Sequence, residues 1–100
     1  MDVETASDSC PGQIVAAIVV RDSRVLLCHR SADHRWYPDV WDLAGGHVEA
    51  GETPASTLVR ELRELREELG VVIEEPAGPE LARIVTGDFD LRIWLVSALA

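Results

Sequence analysis

Residues 45–71 read GGHVEAGETPASTLVRELRELREELGV, and the reading of this stretch decides the fold. Two glycines, Gly45 and Gly46, open a loop that runs to Thr53-Pro54. Thr53 suits the N-cap of a helix, and Pro54 suits its first position, where a missing N–H costs nothing. Apolar residues then recur at intervals of three and four, at Ala55, Leu58, Leu62, Leu65 and Leu69, and trace one stripe. Gly70 follows where left-handed dihedrals close a helix cheaply. The pattern predicts a helix over about 53–69, with Glu64, Glu67 and Glu68 spaced i, i+3 and i+4 opposite the leucines.

Working outward, Gln13 to Val20 is a continuous β-branched apolar run, and Val25 to Arg30 is a second. The polar residues 21–24 between them predict a hairpin whose first strand is buried on both faces. Ser31 to Asp39 reads as a loop, and Val40 to Leu43 as a short strand entering the glycines. Beyond the helix, Val71 to Glu74 predicts a short strand, and Leu81 to Thr86 and Leu91 to Ala98 two more, joined at Gly87-Asp88. Residues 1–12 are expected to form a disordered acidic tail, and 13–100 a single α/β domain. The sequence stops inside an apolar stretch, Ala98-Leu99-Ala100, so its last strand is expected to lack a following element.

One hundred residues suffice for one core and not for two. Nine basic residues against 18 acidic ones give a net charge of −9. That balance argues against general affinity for nucleic-acid polymers or anionic membranes. A phosphate-rich substrate would be repelled by such a surface unless a cation bridged the two. No apolar run reaches the roughly 20 residues that span a bilayer. The first twelve residues lack the basic start and apolar run of a secretory signal, so a cytoplasmic location is expected. Cys10 and Cys28 lack the spacing of a metal site, and no disulfide is expected between them.

Glutamates on one side of a helix, beside a loop that glycines keep free of side chains, suit a divalent cation. Such a cation neutralises bridging phosphates and activates water. The segment 46–71 resembles the Nudix box, G-x5-E-x7-R-E-U-x-E-E-x-G-U, where U is a bulky aliphatic residue. Gly46 and Glu52 match its first half; Arg63, Glu64, Leu65, Glu67, Glu68, Gly70 and Val71 match its second. The resemblance implies an α/β/α sandwich with a mixed sheet and one central catalytic helix, truncated here at the C-terminus. It implies Mg2+- or Mn2+-dependent hydrolysis of a pyrophosphate bond in a nucleoside diphosphate-linked substrate. It also implies that a carbonyl of Gly45 or Gly46 joins Glu64, Glu67 and Glu68 as metal ligands. By the same resemblance Glu52 pairs with Arg60 or Arg63 to lock loop to helix, and Glu64 holds metal or positions the water.

The match has one departure. Ten residues rather than seven separate Glu52 from Arg63, because Arg-Glu-Leu occurs twice, at 60–62 and 63–65. Three extra helical residues advance the helix by about 4.5 Å and turn it by about 300°. If the end leading into Gly70 is held, Glu64, Glu67 and Glu68 form the ligand set. If the loop end is held, the equivalent positions become Glu61, Glu64 and Leu65, with Glu68 one turn onward. The first register is preferred because it keeps the second half of the motif complete.

Trp36 and Trp41, ahead of the box, offer a stacking wall for a nucleobase or, more simply, a packed loop over the sheet. Glu80, Asp88 and Asp90 are assigned no role. Against the hydrolase stands a second expectation, a catalytically inactive Nudix-like remnant that binds a nucleotide or a protein partner. The unfinished sheet edge leaves a homodimer as a further alternative.

Overall fold

The computed structural model describes residues 12–33, 39–76 and 78–99. The expected acidic tail therefore lies outside the described residues except for Gly12, which opens a strand instead; Cys10 and Trp36 also lie outside them. The first strand, β1 (Gly12–Arg21), begins one residue earlier than the apolar run suggests. It turns back at Asp22 and Ser23, both with positive φ (53° and 63°), into β2 (Arg24–Val25). Two left-handed residues give a two-residue turn whose twist matches that of the flanking strands.

The single long strand expected over 25–30 does not form. After β2 the chain leaves β1, and β3 (Cys28–His29) pairs instead with β4 (Trp41–Asp42) in a separate two-stranded sheet. Next come β5 (Ala44–His47), helix α1 (Pro54–Leu69), β6 (Ala82–Val85) and β7 (Phe89–Ser97). The expected strand at 71–74 is reduced to one bridge, Ile73 to Ala98, supported by Leu99 N–H donating to the Val72 carbonyl at 2.7 Å.

The principal sheet is mixed. β1 lies parallel to β7 over its whole length and antiparallel to both β5 and β2 on its other edge; β6 closes against β7 as a hairpin. β1 is not buried evenly on both faces, as its apolar run suggests: Val15, Ala17 and Val19 are buried on one face, whereas on the other only Ala16 is buried and Ile14 and Ile18 are partly exposed. Alternation sends Val15, Ala17 and Val19 of β1, with Trp94 and Val96 of β7, toward α1. There they meet Leu58, Leu62 and Leu65, and Ile73 completes the cluster. Leu95 and Ile84 project to the other face and remain about half exposed. No helix among the described residues is long and apolar enough to cross a membrane.

α1 is bounded as the sequence predicts. Thr53 Oγ1 accepts from Ser56 N–H at 3.1 Å, and Ser56 Oγ accepts from Thr53 N–H at 3.0 Å, a reciprocal capping box. Gly70 ends the helix at φ 71°, its N–H donating to the Arg66 carbonyl. The predicted stripe is buried only in its middle: Ala55 and Leu69, near the two ends, are exposed. Leu62 is 1% exposed at the centre of the helix–sheet contact. Leu62→Ala is therefore expected to cost about 2–5 kcal/mol through lost burial and the cavity left behind, measured by urea unfolding. A loss under about 1 kcal/mol would mean that α1 is not seated on the sheet as described.

Candidate metal and nucleotide site

The loop–helix junction is held by Glu52. Its carboxylate receives Arg60 Nε at 2.7 Å and Arg60 Nη2 at 3.0 Å, a two-pronged guanidinium–carboxylate contact. The Glu49 N–H (3.0 Å) and the Thr57 hydroxyl (2.8 Å) donate to the same group. These donors, Arg60 foremost, lower the Glu52 carboxyl from 4.5 to about 2.

Arg60, not Arg63, makes this pair, and helix geometry gives the reason. Arg60 lies seven residues past the N-cap, about two turns, so it returns to the side on which Glu52 enters. Arg63 is displaced by about a further 4.5 Å and 300°. No hydrogen bond or ion pair joins Arg63 to Glu52, and the residue is exposed.

The remaining prong of Arg60 points down the helix. Nη1 is 3.0 Å from Glu61 and 3.5 Å from Glu64, while Nη2 reaches the His47 carbonyl at 3.4 Å. The Glu61 carboxylate lies beside Gly46, where a side chain would displace its flexible tip. At Gly45 a side chain would strike the Val15 carbonyl of β1. The two glycines thus allow β5 to lie flat between the central strand and the helix.

A cleft of about 240 Å3 opens beside this junction. Glu61, Glu64, Leu65 and Glu68 line it from α1, Gly45 from β5, and Cys28, His29, Arg30 and Asp42 from the β3–β4 side. Burial raises the Glu61 carboxyl above its ordinary value, and the neighbouring Glu64 raises it further. Burial likewise raises the Cys28 thiol, helped by Glu68 and Asp42.

The predicted residues are only partly brought together. Glu64 and Glu68 line the cleft, with Glu61 rather than Glu67 as their companion. Glu67 is exposed and contributes nothing to the cleft lining. Trp41 is 67% exposed and lies against His29, with ring centroids 4.9 Å apart, rather than lining the cleft. Sequence reasoning assigned nothing to Thr57, Arg30 or Asp42. Only Thr57 carried a readable signal, as a hydroxyl on the apolar side of an amphipathic helix. Asp90, also unassigned, is buried and forms a two-pronged pair with Arg83, at 2.8 and 2.7 Å.

Among the described residues, no three His, Cys, Asp or Glu side chains already converge as a metal cage. The donor set nonetheless suits a hard cation. Its atoms are carboxylate oxygens of Glu61, Glu64 and Glu68 beside the backbone of Gly45.

The loop carboxylate of Glu52 and the helix carboxylate of Glu61 act oppositely on stability. Glu52, lowered on folding, stabilises the protein fully above about pH 4.5, and that contribution is lost as pH falls toward 2. Glu61, raised on folding, costs stability as pH rises from its unfolded value through its folded one. Glu52→Gln should lower stability at neutral pH and flatten the decline between about pH 4.5 and 2, as urea midpoints measured against pH would show. An unchanged acid slope in this variant would contradict the clamp.

Comparison with known proteins supplies the lineage. The NUDIX domain family model matches residues 11–95. A CTP pyrophosphohydrolase of Escherichia coli (strain K12) is 46% identical over 59 residues, covering 59% of this chain and 41% of the relative. Nucleoside triphosphatase NudI of Enterobacter sp. (strain 638) is 41% identical over 61 residues, covering 61% of this chain and again 41% of the relative. The alignments thus span about two fifths of these curated relatives. Among solved structures, the E. coli ORF135 protein superposes with a TM-score of 0.59 at 38% identity, over 87% of this chain and 61% of that one. A NUDIX hydrolase from Nitrosomonas europaea shares the fold with a TM-score of 0.68 at 24% identity, over 96% and 52%. With the mixed sheet, the glycine turn and the glutamate-bearing helix in place, the chain belongs to the NUDIX domain family.

Proposed function

We propose that this protein is a metal-dependent pyrophosphohydrolase of nucleoside triphosphates or related nucleotides. The observation that carries the reading is the cleft in which Glu61, Glu64 and Glu68 face Gly45 beside the Arg60–Glu52 clamp. Glu61, Glu64 and Glu68, with a carbonyl of the Gly45-Gly46 turn, would hold Mg2+ or Mn2+. The ion would supply charge neutralisation at the phosphates and acidify a bound water.

The protein's own contribution is placement. Arg60 holds Glu61 beside Gly46, which supports a shared role for the carboxylate and the glycine turn. Arg30, on the opposite wall, brings a guanidinium toward the cleft, where it can offset phosphate charge. The relatives named as a CTP pyrophosphohydrolase and a nucleoside triphosphatase support triphosphates as the substrate class. Such a reaction belongs in the cytoplasm, where nucleotides and Mg2+ are abundant.

The loop-anchored register places Leu65 where that register would otherwise bring a third carboxylate, with Glu68 one turn farther along. This substitution is the observation that keeps the inactive, nucleotide-binding reading in play.

The test is pyrophosphate or phosphate release from CTP and the other nucleoside triphosphates with added Mg2+. Turnover is expected with Mg2+ and none with chelator. Tight nucleotide binding without turnover would favour the inactive remnant. In Mn2+ titrations, Glu61→Gln, Glu64→Gln and Glu68→Gln should each weaken binding by about 10-fold or more. Glu67→Gln should weaken it far less; a loss there matching that at Glu61 would restore the register anchored at Gly70.

A further inference from the structure

Thr57 is a buried hydroxyl, 0% exposed, on the side of α1 that faces the core. Its Oγ1 is 2.8 Å from Glu52 Oε1 and 2.9 Å from the Thr53 carbonyl. A hydroxyl has one proton to give. The Thr53 carbonyl already accepts from the Thr57 N–H at 2.9 Å and from Ser56 Oγ at 3.0 Å, whereas Glu52 is an ionised carboxylate and the stronger acceptor. The proton therefore goes to Glu52.

That bond fixes Oε1 from the helix side. The Glu49 N–H holds the same oxygen from the loop side, and Arg60 spans both oxygens. With the carboxylate so oriented, the Arg60 fork has one pose, in which Nη1 meets Glu61. We propose that Thr57 is a positioning residue for the Glu61 carboxylate, acting through Glu52 and Arg60. This rests on the reading of Glu61 as a metal-binding group. A hydroxyl used only to satisfy the backbone of its own helix would leave Arg60 and Glu61 indifferent to its removal.

Thr57→Val keeps the shape and removes the hydroxyl, Thr57→Ser keeps the hydroxyl, and Thr57→Ala is a second deletion should valine disturb folding. Two readouts are taken on folded, full-length protein: the Arg60 Nε–H solvent-exchange rate by NMR without metal, and Mn2+ affinity by calorimetry. Thr57→Val is expected to speed exchange and to weaken Mn2+ binding by about 10-fold, the scale of lost outer-shell support. Thr57→Ser should restore both toward wild type. Wild-type exchange and wild-type affinity in Thr57→Val and Thr57→Ala would overturn the proposal. If the wild-type protein takes up no Mn2+, the metal reading of Glu61 is what fails. The exchange rates then still decide Thr57: faster exchange in Thr57→Val supports its hold on the clamp, and an unchanged rate overturns it.

Discussion

Glu52, at the end of the loop, and Arg60, two turns into α1, are joined across the helix N-terminus, and the rest of the site inherits its geometry from that contact. An arginine with four carboxylates around it, those of Glu49, Glu52, Glu61 and Glu64, could adopt many poses. Here Glu52 takes two of its N–H groups at 2.7 and 3.0 Å, and a third is left for Glu61. Because the guanidinium is planar and rigid, fixing one side of the fork aims the other. The loop cannot drift from the helix without separating the pair. In an acidic chain this cation is also what lets several carboxylates share one end of a cleft.

The sheet supplies the platform for that contact. β1 is the strand on which everything converges, pairing with β7 along one edge and with β5 and β2 along the other. β5 carries the glycines, so its registration with β1 fixes where the turn meets the helix. A side chain at Gly45 would collide with the backbone of β1, and one at Gly46 would displace the Glu61 carboxylate. The same absence of side chains serves packing on one side and the site on the other. Leu65 shows a related economy, since it is part of the hydrophobic core and also lines the cleft.

Much of the fold was legible because it depends on local chemistry. Thr53, Pro54 and Gly70 bound α1 as read, and the leucine spacing identified its buried side. The strands at 13–20, 81–86 and 91–98 all appear, with small changes at their ends. The run at 25–30 misled, because apolar content says that a segment is extended and not which partner it will find. β3 turns away to meet β4, forty-odd ångströms of chain being enough to bring Trp41 back beside His29. The stretch at 71–74 has the right composition for a strand but only a bridge to Ala98 to pair with.

By itself, the sequence determined the family, the helix and the inventory of carboxylates, since motif spacing, caps and amphipathic period are properties of neighbouring residues. It could not choose between two identical Arg-Glu-Leu triplets, because each satisfies the local rules equally well. That choice belonged to the tertiary structure. Glu52 enters from a loop whose position the sheet dictates, and only an arginine two turns past the N-cap returns to the side where it waits. Arg60 meets that condition, and so Glu61, not Glu67, is the carboxylate laid against the glycine turn.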